Sequence, residues 1–178
     1  MARAHSVLLI ILFPNFVTPI SKSLFYTTTI KNIMATINPY LNFNGNCEEA
    51  FNFYRSIFGG EFATVMRFKD TPPNVQMPKD PSEDNYIMHV ALPLGKGHTL
   101  MGSDRPKAMG PGTMSDNFSV SVDTDSEAEA RKIYEALSKG GKVIMPFEKT
   151  FWGSLFGMFT DKFGIQWMVS YSQPQQQA

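Results

Sequence analysis

The chain has 178 residues, of which 43% are hydrophobic and 18% charged, and its formal net charge at pH 7 is zero. This composition supports a sizeable core, and without a basic run it argues against nucleic acid as a partner. Cys47 is the only cysteine, which excludes an internal disulfide and a cysteine-based zinc site and suits a cytoplasmic protein.

Residues 1–33 form a segment of different composition, since they contain Arg3, Lys22 and Lys31 but no acidic residue. Residues 7–13 are apolar, yet this run is too short for a membrane-spanning helix, so no membrane partner is predicted. A basic residue before an apolar run is typical of signal peptides, and an acid-poor, Ser/Thr-rich stretch is typical of transit peptides. Two interpretations are open: a targeting segment for export or for an organelle, or a non-essential extension. Both exclude residues 1–33 from the fold.

The folded part is predicted to begin with a strand over residues 37–43 and a helix that starts at Asn46 and stops at Gly59-Gly60. Apolar residues recur along this helix at helical spacing: Ala50, Phe53, Tyr54, Ile57 and Phe58. Three strands are then predicted, over residues 62–68, 86–92 and 99–103.

Two irregular connections interrupt this pattern. Residues 70–84 contain four prolines and predict a long loop, which is either a lid over a pocket or a plain surface loop. Residues 105–115 hold glycines and prolines at intervals and predict a linker.

The same order of elements returns after the linker, with a strand over residues 117–122 and a helix whose capping box pairs Ser126 with Glu129. The helix stops at Gly140-Gly141, and strands follow over residues 143–147, 155–160 and 165–171. Ala130, Ile133 and Tyr134 repeat the positions of Ala50, Phe53 and Tyr54 with a shift of 80 residues. This predicts an internal duplication in one domain over residues 34–172. Module one covers residues 36–104, module two covers 116–172, and residues 173–178 form a disordered tail.

Residues 150–169 hold both tryptophans of the chain, together with three glycines and four phenylalanines. Aromatic residues favour strands and glycines mark tight turns, so this stretch is predicted to be a hairpin with a turn over residues 161–164. Two interpretations are open, because an aromatic hairpin either fills a core or lines a cavity.

Two sets of motifs, one in each module, are informative in combination. Module one carries Pro39-Tyr-Leu-Asn-Phe-Asn-Gly45, Phe53-Tyr54 and Phe58-Gly59-Gly60-Glu61. Module two carries Thr150-Phe-Trp-Gly153 and Asp161-Lys-Phe-Gly-Ile-Gln-Trp167. Together they resemble PhnB-like proteins of the glyoxalase, bleomycin-resistance and dioxygenase superfamily, also called vicinal oxygen chelate. The resemblance covers residues 36–171.

The resemblance implies an α+β fold in which two tandem βαβββ modules form a curved mixed sheet, a half-barrel, around a cavity. It also implies a homodimer. Some members are named after a demethylubiquinone methyltransferase, but this sequence lacks the glycine-rich loop and following acidic residue of a methyl-donor site.

Metal-dependent members of the superfamily hold a divalent ion with His, Gln and Glu side chains, and the ion acts as a Lewis acid. The positions that the resemblance assigns to these ligands fall near Pro39 or Tyr40, at residues 117–119, and at Trp167 or Met168. Only His89 is a plausible ligand, and one imidazole does not hold such an ion with useful affinity. No metal and no other cofactor are therefore predicted.

His89 has three interpretations that the sequence leaves open: a hydrogen-bonded structural residue, a polar contact to a bound ligand, or a general base. Strand alternation places it on the less apolar face of residues 86–92.

The sequence predicts a protein that binds a small apolar or aromatic molecule without a full set of metal ligands. The predicted ligand-binding residues are His89, Phe151, Trp152, Phe156, Phe159 and Trp167. The alternative is a glyoxalase-, dioxygenase- or isomerase-type enzyme with a metal in an atypical site. No catalytic residue is assigned.

Overall fold

A computed structural model describes residues 36–75, 80–113 and 115–173. The predictions for residues 1–33 lie outside the described residues, as does most of the predicted tail over residues 173–178.

The elements follow the order predicted from the duplication. The first module contains β1 (Tyr40–Phe43), α1 (Cys47–Phe58), β2 (Thr64–Arg67), β3 (Ile87–Gly95) and β4 (His98–Asp104). The second module contains β5 (Val120–Asp123), α2 (Glu127–Ser138), β6 (Lys142–Lys149), β7 (Leu155–Thr160) and β8 (Gln166–Tyr171). Neither helix of the described part of the chain is long and apolar enough to cross a membrane.

Each module forms one four-stranded mixed sheet, with the order β1-β4-β3-β2 in sheet one and β5-β8-β7-β6 in sheet two. The first strand of each module pairs in parallel with the last, and the other pairs are antiparallel. Neither sheet closes on itself, because β1 and β2 are edges of the first and β5 and β6 are edges of the second. The predicted α+β fold of two tandem βαβββ modules is confirmed.

The two helices start in different ways. Ser126 caps α2 as predicted, since its side chain accepts a hydrogen bond from the backbone N–H of Glu129 at 3.2 Å. Asn46 occupies the N-cap position of α1 as predicted, but its side chain makes no capping bond. The carboxylate of Asp104, at the end of β4, instead accepts the N–H groups of Gly45 and Cys47, both at 2.9 Å. A distant acceptor thus satisfies the first N–H group of the helix, that of Cys47, which has no partner within the helix.

The C-terminal part of the loop over residues 70–84 is attached to the body of module one. Pro81–Glu83 forms a short 3₁₀ helix, and the buried carboxylate of Glu83 accepts the backbone N–H of Lys107 at 2.6 Å. This bond joins the loop to the linker between the modules. The lid role of the loop stays a prediction.

The two modules share one hydrophobic core, because α1 of module one packs against the helix-facing side of sheet two. The Tyr54 ring lies with its centroid 5.4 Å from that of Trp167 on β8 and 6.0 Å from that of Phe163. Phe53 packs on the same Phe163 ring at 5.7 Å. Such edge-to-face pairs add to the free energy gained by burying the rings.

A buried carboxylate lies at the centre of this junction. Asp161 accepts hydrogen bonds from the Tyr54 hydroxyl at 2.7 Å and from the Trp167 indole N–H at 2.9 Å. Its other oxygen accepts the backbone N–H groups of Phe163 at 2.8 Å and Ile165 at 2.9 Å, which fixes the turn between β7 and β8. Burial, and next the nearby Asp161 charge, raise the pKa of the Tyr54 phenol, so it stays a donor.

We expect Tyr54→Phe to lower the free energy of unfolding by about 1.5–3 kcal/mol, because it leaves a buried carboxylate without one of its donors. Chemical denaturation measures this change. Tyr134→Phe is a matched control at the same position of the second helix, where the hydroxyl donates to the backbone oxygen of Met145 at 3.2 Å. That neutral bond contributes about 1 kcal/mol or less. Equal losses in the two variants would contradict the role of Asp161.

Candidate functional site

Each sheet has one face that packs on the helices and one that is turned away from them. On β8, Trp167 and Val169 are fully buried against the helices, so alternation places Gln166 and Met168 on the opposite face. The same alternation on β1 buries Leu41 and Phe43 and exposes Tyr40 and Asn42. Because α1 packs against both sheets, the opposite faces point away from the shared core.

We call these surfaces open face one and open face two. Open face one carries side chains from β1, β3 and β4: Tyr40, Asn42, His89, Met101 and Ser103. Open face two carries side chains from β7 and β8 and from residues at β5: Ser119, Ser121, Phe156, Met158, Gln166 and Met168.

Open face one holds a pair of aromatic side chains that share a hydrogen bond. The Tyr40 hydroxyl lies 3.2 Å from Nδ1 of His89, and the two rings stack with centroids 5.8 Å apart at an interplanar angle of 23°. Tyr40 is 42% exposed, so the pair is accessible from outside the chain. The interpretations of His89 as a ligand contact or as a hydrogen-bonded structural residue both fit this placement.

Open face two holds a polar network among its apolar side chains. The Ser119 hydroxyl donates to the side-chain oxygen of Gln166 at 2.9 Å, and the Gln166 amide N–H lies 3.8 Å from the sulfur of Met158. Met168 and Phe156 lie beside this network on the same face. The face therefore combines three large apolar side chains with a few fixed polar atoms, a combination found in ligand sites.

Three of the predicted ligand-binding residues lie together at the end of open face two. Phe151 and Trp152 form the turn between β6 and β7 and are 97% and 54% exposed. Their ring centroids are 4.7 Å apart, and Trp152 contacts Phe156 at 6.1 Å. His89 lies on the other sheet, so within one chain it is not part of this cluster.

Phe159 and Trp167 do not share a surface with the other four predicted residues. Both are 0% exposed, Phe159 against the Tyr134 ring and Trp167 against Tyr54. The physical reason is strand alternation, since Phe159 and Trp167 pair across β7 and β8 on the helix-facing side. The expectation that they line a cavity is corrected here, because both belong to the core.

The hydrogen-bonding roles of Tyr40, Ser119 and Gln166 are additional to those predicted from the sequence. For Tyr40 and His89 no local pattern reports the contact, because they are 49 residues apart in the chain. For Gln166 the alternation along β8 predicts its position on the open face, since the residues on either side of the buried Trp167 must face outwards.

The side chains at the metal-ligand positions of metal-dependent family members do not fit a divalent ion. Tyr40 bonds to His89, Ser119 bonds to Gln166, and Met168 offers a thioether. In the part of the chain that the structure describes, no three His, Cys, Asp or Glu side chains are grouped to hold an ion.

A nucleophilic role for Cys47 is not supported by its surroundings. The thiol is fully buried at the start of α1, and this burial, followed by the negative charge of Asp104, raises its pKa. A thiol that stays protonated is a poor nucleophile.

A cavity of about 200 Å³ lies at the end of sheet two, on the helix-facing side. Its wall is formed by Glu127, Lys149, Gly153, Leu155, Tyr171 and Gln173. This volume is below the roughly 300–1,000 Å³ usual for ligand pockets, and none of the six predicted ligand-binding residues lines it. The open faces are the better candidate site.

Comparison with known proteins agrees with the fold. The family model of the Glyoxalase/Bleomycin resistance protein/Dioxygenase superfamily matches residues 36–169. The chain belongs to this superfamily, and its predicted resemblance to PhnB-like proteins is confirmed.

Three relatives illustrate the similarity. Protein YjdN of Escherichia coli strain K12 is 32% identical over 146 residues, which are 78% of this chain and 97% of that protein. The crystal structure of protein PA1353 from Pseudomonas aeruginosa is 42% identical with a TM-score of 0.70, over 79% of this chain and 99% of that one. A Bacillus cereus PhnB protein, described as a putative 3-demethylubiquinone-9 3-methyltransferase, is 25% identical with a TM-score of 0.62. This match covers 78% of this chain and 100% of that one.

The two tryptophans provide a direct check of the placement of Trp167 in the core and of Trp152 on the surface. We expect Trp167→Ala to lower the free energy of unfolding by about 3–5 kcal/mol, because it empties a core position and removes a donor from Asp161. Trp152→Ala is the matched control, with an expected change of about 0.5 kcal/mol. Denaturant titration of both variants measures the difference. A large loss for Trp152→Ala together with a small loss for Trp167→Ala would contradict the assignment.

Proposed function

We propose that the protein binds a small apolar or aromatic molecule on its open faces, without using a metal ion. One observation carries this proposal: the open faces bring half-buried apolar side chains together with a few fixed polar atoms. On open face two these are Phe156, Met158 and Met168, next to the exposed Trp152. Methionines line adaptable apolar pockets because their side chains are unbranched and flexible.

We also propose that a second copy of the chain completes the site. A ligand pocket has walls on several sides, whereas each open face gives one wall. Large hydrophobic residues with exposed side chains also lie on the edge strand β6 and in the turn after it. We call this set the apolar patch: Val143, Ile144, Met145, Phe151 and Trp152.

The position of this patch favours a second copy of the same chain as the partner. Met145 pairs with Met158 across β6 and β7, so Met145 lies beside open face two. Patches of this kind on soluble proteins usually mark interaction sites. A homodimer that places open face one of one chain opposite open face two of the other brings His89 to the aromatic cluster.

An enzyme of glyoxalase, dioxygenase or isomerase type is the alternative, and it needs a metal held in an atypical pattern. The methyltransferase description of the Bacillus cereus relative is not extended to this chain, because the sequence has no methyl-donor motif. The remaining proposals follow from composition: a cytoplasmic location, with neither nucleic acid nor a membrane as a partner.

Ligand binding is tested with N-phenyl-1-naphthylamine, an uncharged apolar dye, in a fluorescence titration. We expect saturable binding whose dissociation constant is the same with and without EDTA. Met158→Ala should weaken binding about three- to tenfold, because it removes apolar contact area from open face two. Met109→Ala is the matched control, since this methionine is 63% exposed in the linker and away from the strands of open face two.

Two results would contradict the proposal. Loss of dye binding on chelation, with stoichiometric metal in the purified protein, would favour the metal-dependent alternative. Equal effects of Met158→Ala and Met109→Ala would show that the dye binds elsewhere.

The dimer is tested by measuring the mass in solution by light scattering at micromolar concentration. We expect the mass of two chains, and the mass of one chain for Ile144→Lys, because a lysine in the apolar patch must lose its hydration on association. Met109→Lys, the control, should keep the mass of two chains. A mass of one chain for the unmodified protein would refute the proposed dimer.

A further inference from the structure

The registers of the two sheets identify equivalent positions in the two modules. In sheet one, Gly102 on β4 pairs with Leu41 and Val90. In sheet two, Trp167 on β8 pairs with Val120 and Phe159 in the same way. Gly102 and Trp167 are therefore equivalent positions on the helix-facing side.

The residues one position earlier on each strand lie on the open faces and are also equivalent. Tyr40 corresponds to Ser119, His89 to Met158, and Met101 to Gln166. The hydrogen bond of Tyr40 to His89 and the network of Ser119, Gln166 and Met158 thus occupy the same place in the two modules.

The Tyr40–His89 pair on open face one offers one hydrogen-bond donor and one acceptor in either tautomer of a neutral His89. If Tyr40 donates to Nδ1, the Nε2–H is a donor and the phenol oxygen an acceptor towards the ligand. If Nδ1–H donates to the phenol oxygen, the Tyr40 O–H is a donor and Nε2 an acceptor. In both cases the pair presents one donor and one acceptor.

The network on open face two offers the same combination. The side-chain oxygen of Gln166 accepts from Ser119 and keeps a second lone pair, and its amide nitrogen keeps a second N–H beside the contact to Met158. No Lys, Arg, Asp or Glu takes part in either network among the described residues. A charged ligand group would be desolvated there without a counter-charge, which costs free energy.

We propose that the two networks select an uncharged ligand whose planar polar group both donates and accepts hydrogen bonds, such as a primary amide or a lactam attached to an aromatic body. Carboxylates and phosphates of the same shape are discriminated against. This inference rests on the proposed function, because it assigns the ligand class of the same open faces.

Three probes of nearly the same shape test the ligand class: benzamide, benzoate and α-methylstyrene. Dissociation constants are measured by NMR titration of the isotope-labelled full chain at pH 7.5. We expect benzamide to bind about tenfold more tightly than benzoate. Tyr40→Phe and Gln166→Leu should each raise the dissociation constant of benzamide about five- to tenfold. The dissociation constant of α-methylstyrene should change by less than about a factor of two, because that probe makes no hydrogen bonds.

Ser56→Ala is the control, since Ser56 is exposed on α1, away from both open faces, and its hydroxyl donates to the backbone oxygen of Phe53 at 2.7 Å. It should leave all three dissociation constants unchanged. Tighter binding of benzoate than of benzamide would overturn the inference, as would a benzamide affinity that both network variants leave unchanged. In those cases α-methylstyrene still binds, so the proposed function stands. If neither α-methylstyrene nor the naphthylamine dye binds, the proposed function itself fails.

Discussion

The arrangement of this protein depends on one buried carboxylate, that of Asp161, which accepts hydrogen bonds from both modules. Tyr54 reaches it from α1 of the first module, and Trp167 reaches it from β8 of the second. A buried charge without such donors would cost several kcal/mol, so the junction is stable only when the helix of one module meets the sheet of the other in this geometry. The two open faces point away from the core as a consequence.

This orientation explains why the candidate site is divided between two surfaces. Duplicated modules give two faces with equivalent strand positions, and each face has acquired different side chains at those positions. Tyr40 and His89 occupy one set, and Ser119, Gln166 and Met158 occupy the other. The positions that hold metal ligands in other family members carry neutral hydrogen-bonding groups and thioethers here. The fold is kept, and the side chains at these positions are different.

Much of the fold could be predicted from sequence because its signals are local. The helix faces around Tyr54 and Tyr134 and the capping of α2 by Ser126 are set by residues within a few positions of one another. The cap of α1 could not be predicted in this way, since Asp104 is 57 residues from Cys47. The same limit applies to the Tyr40–His89 contact. Phe159 and Trp167 show a different limit, because an aromatic residue suits a core or a cavity wall equally well and only the strand alternation buries these two.

The distant cap has a consequence for how the chain folds. Helix α2 carries its own cap, so its first turn gains this stabilisation as soon as the local segment becomes helical. Helix α1 gains its cap only when β4 has paired with β1 and brought Asp104 to Gly45 and Cys47. Closing that long loop costs entropy before any bond to the carboxylate forms. The two halves of a duplicated chain therefore differ in contact order, and module two has the more local route to its helix.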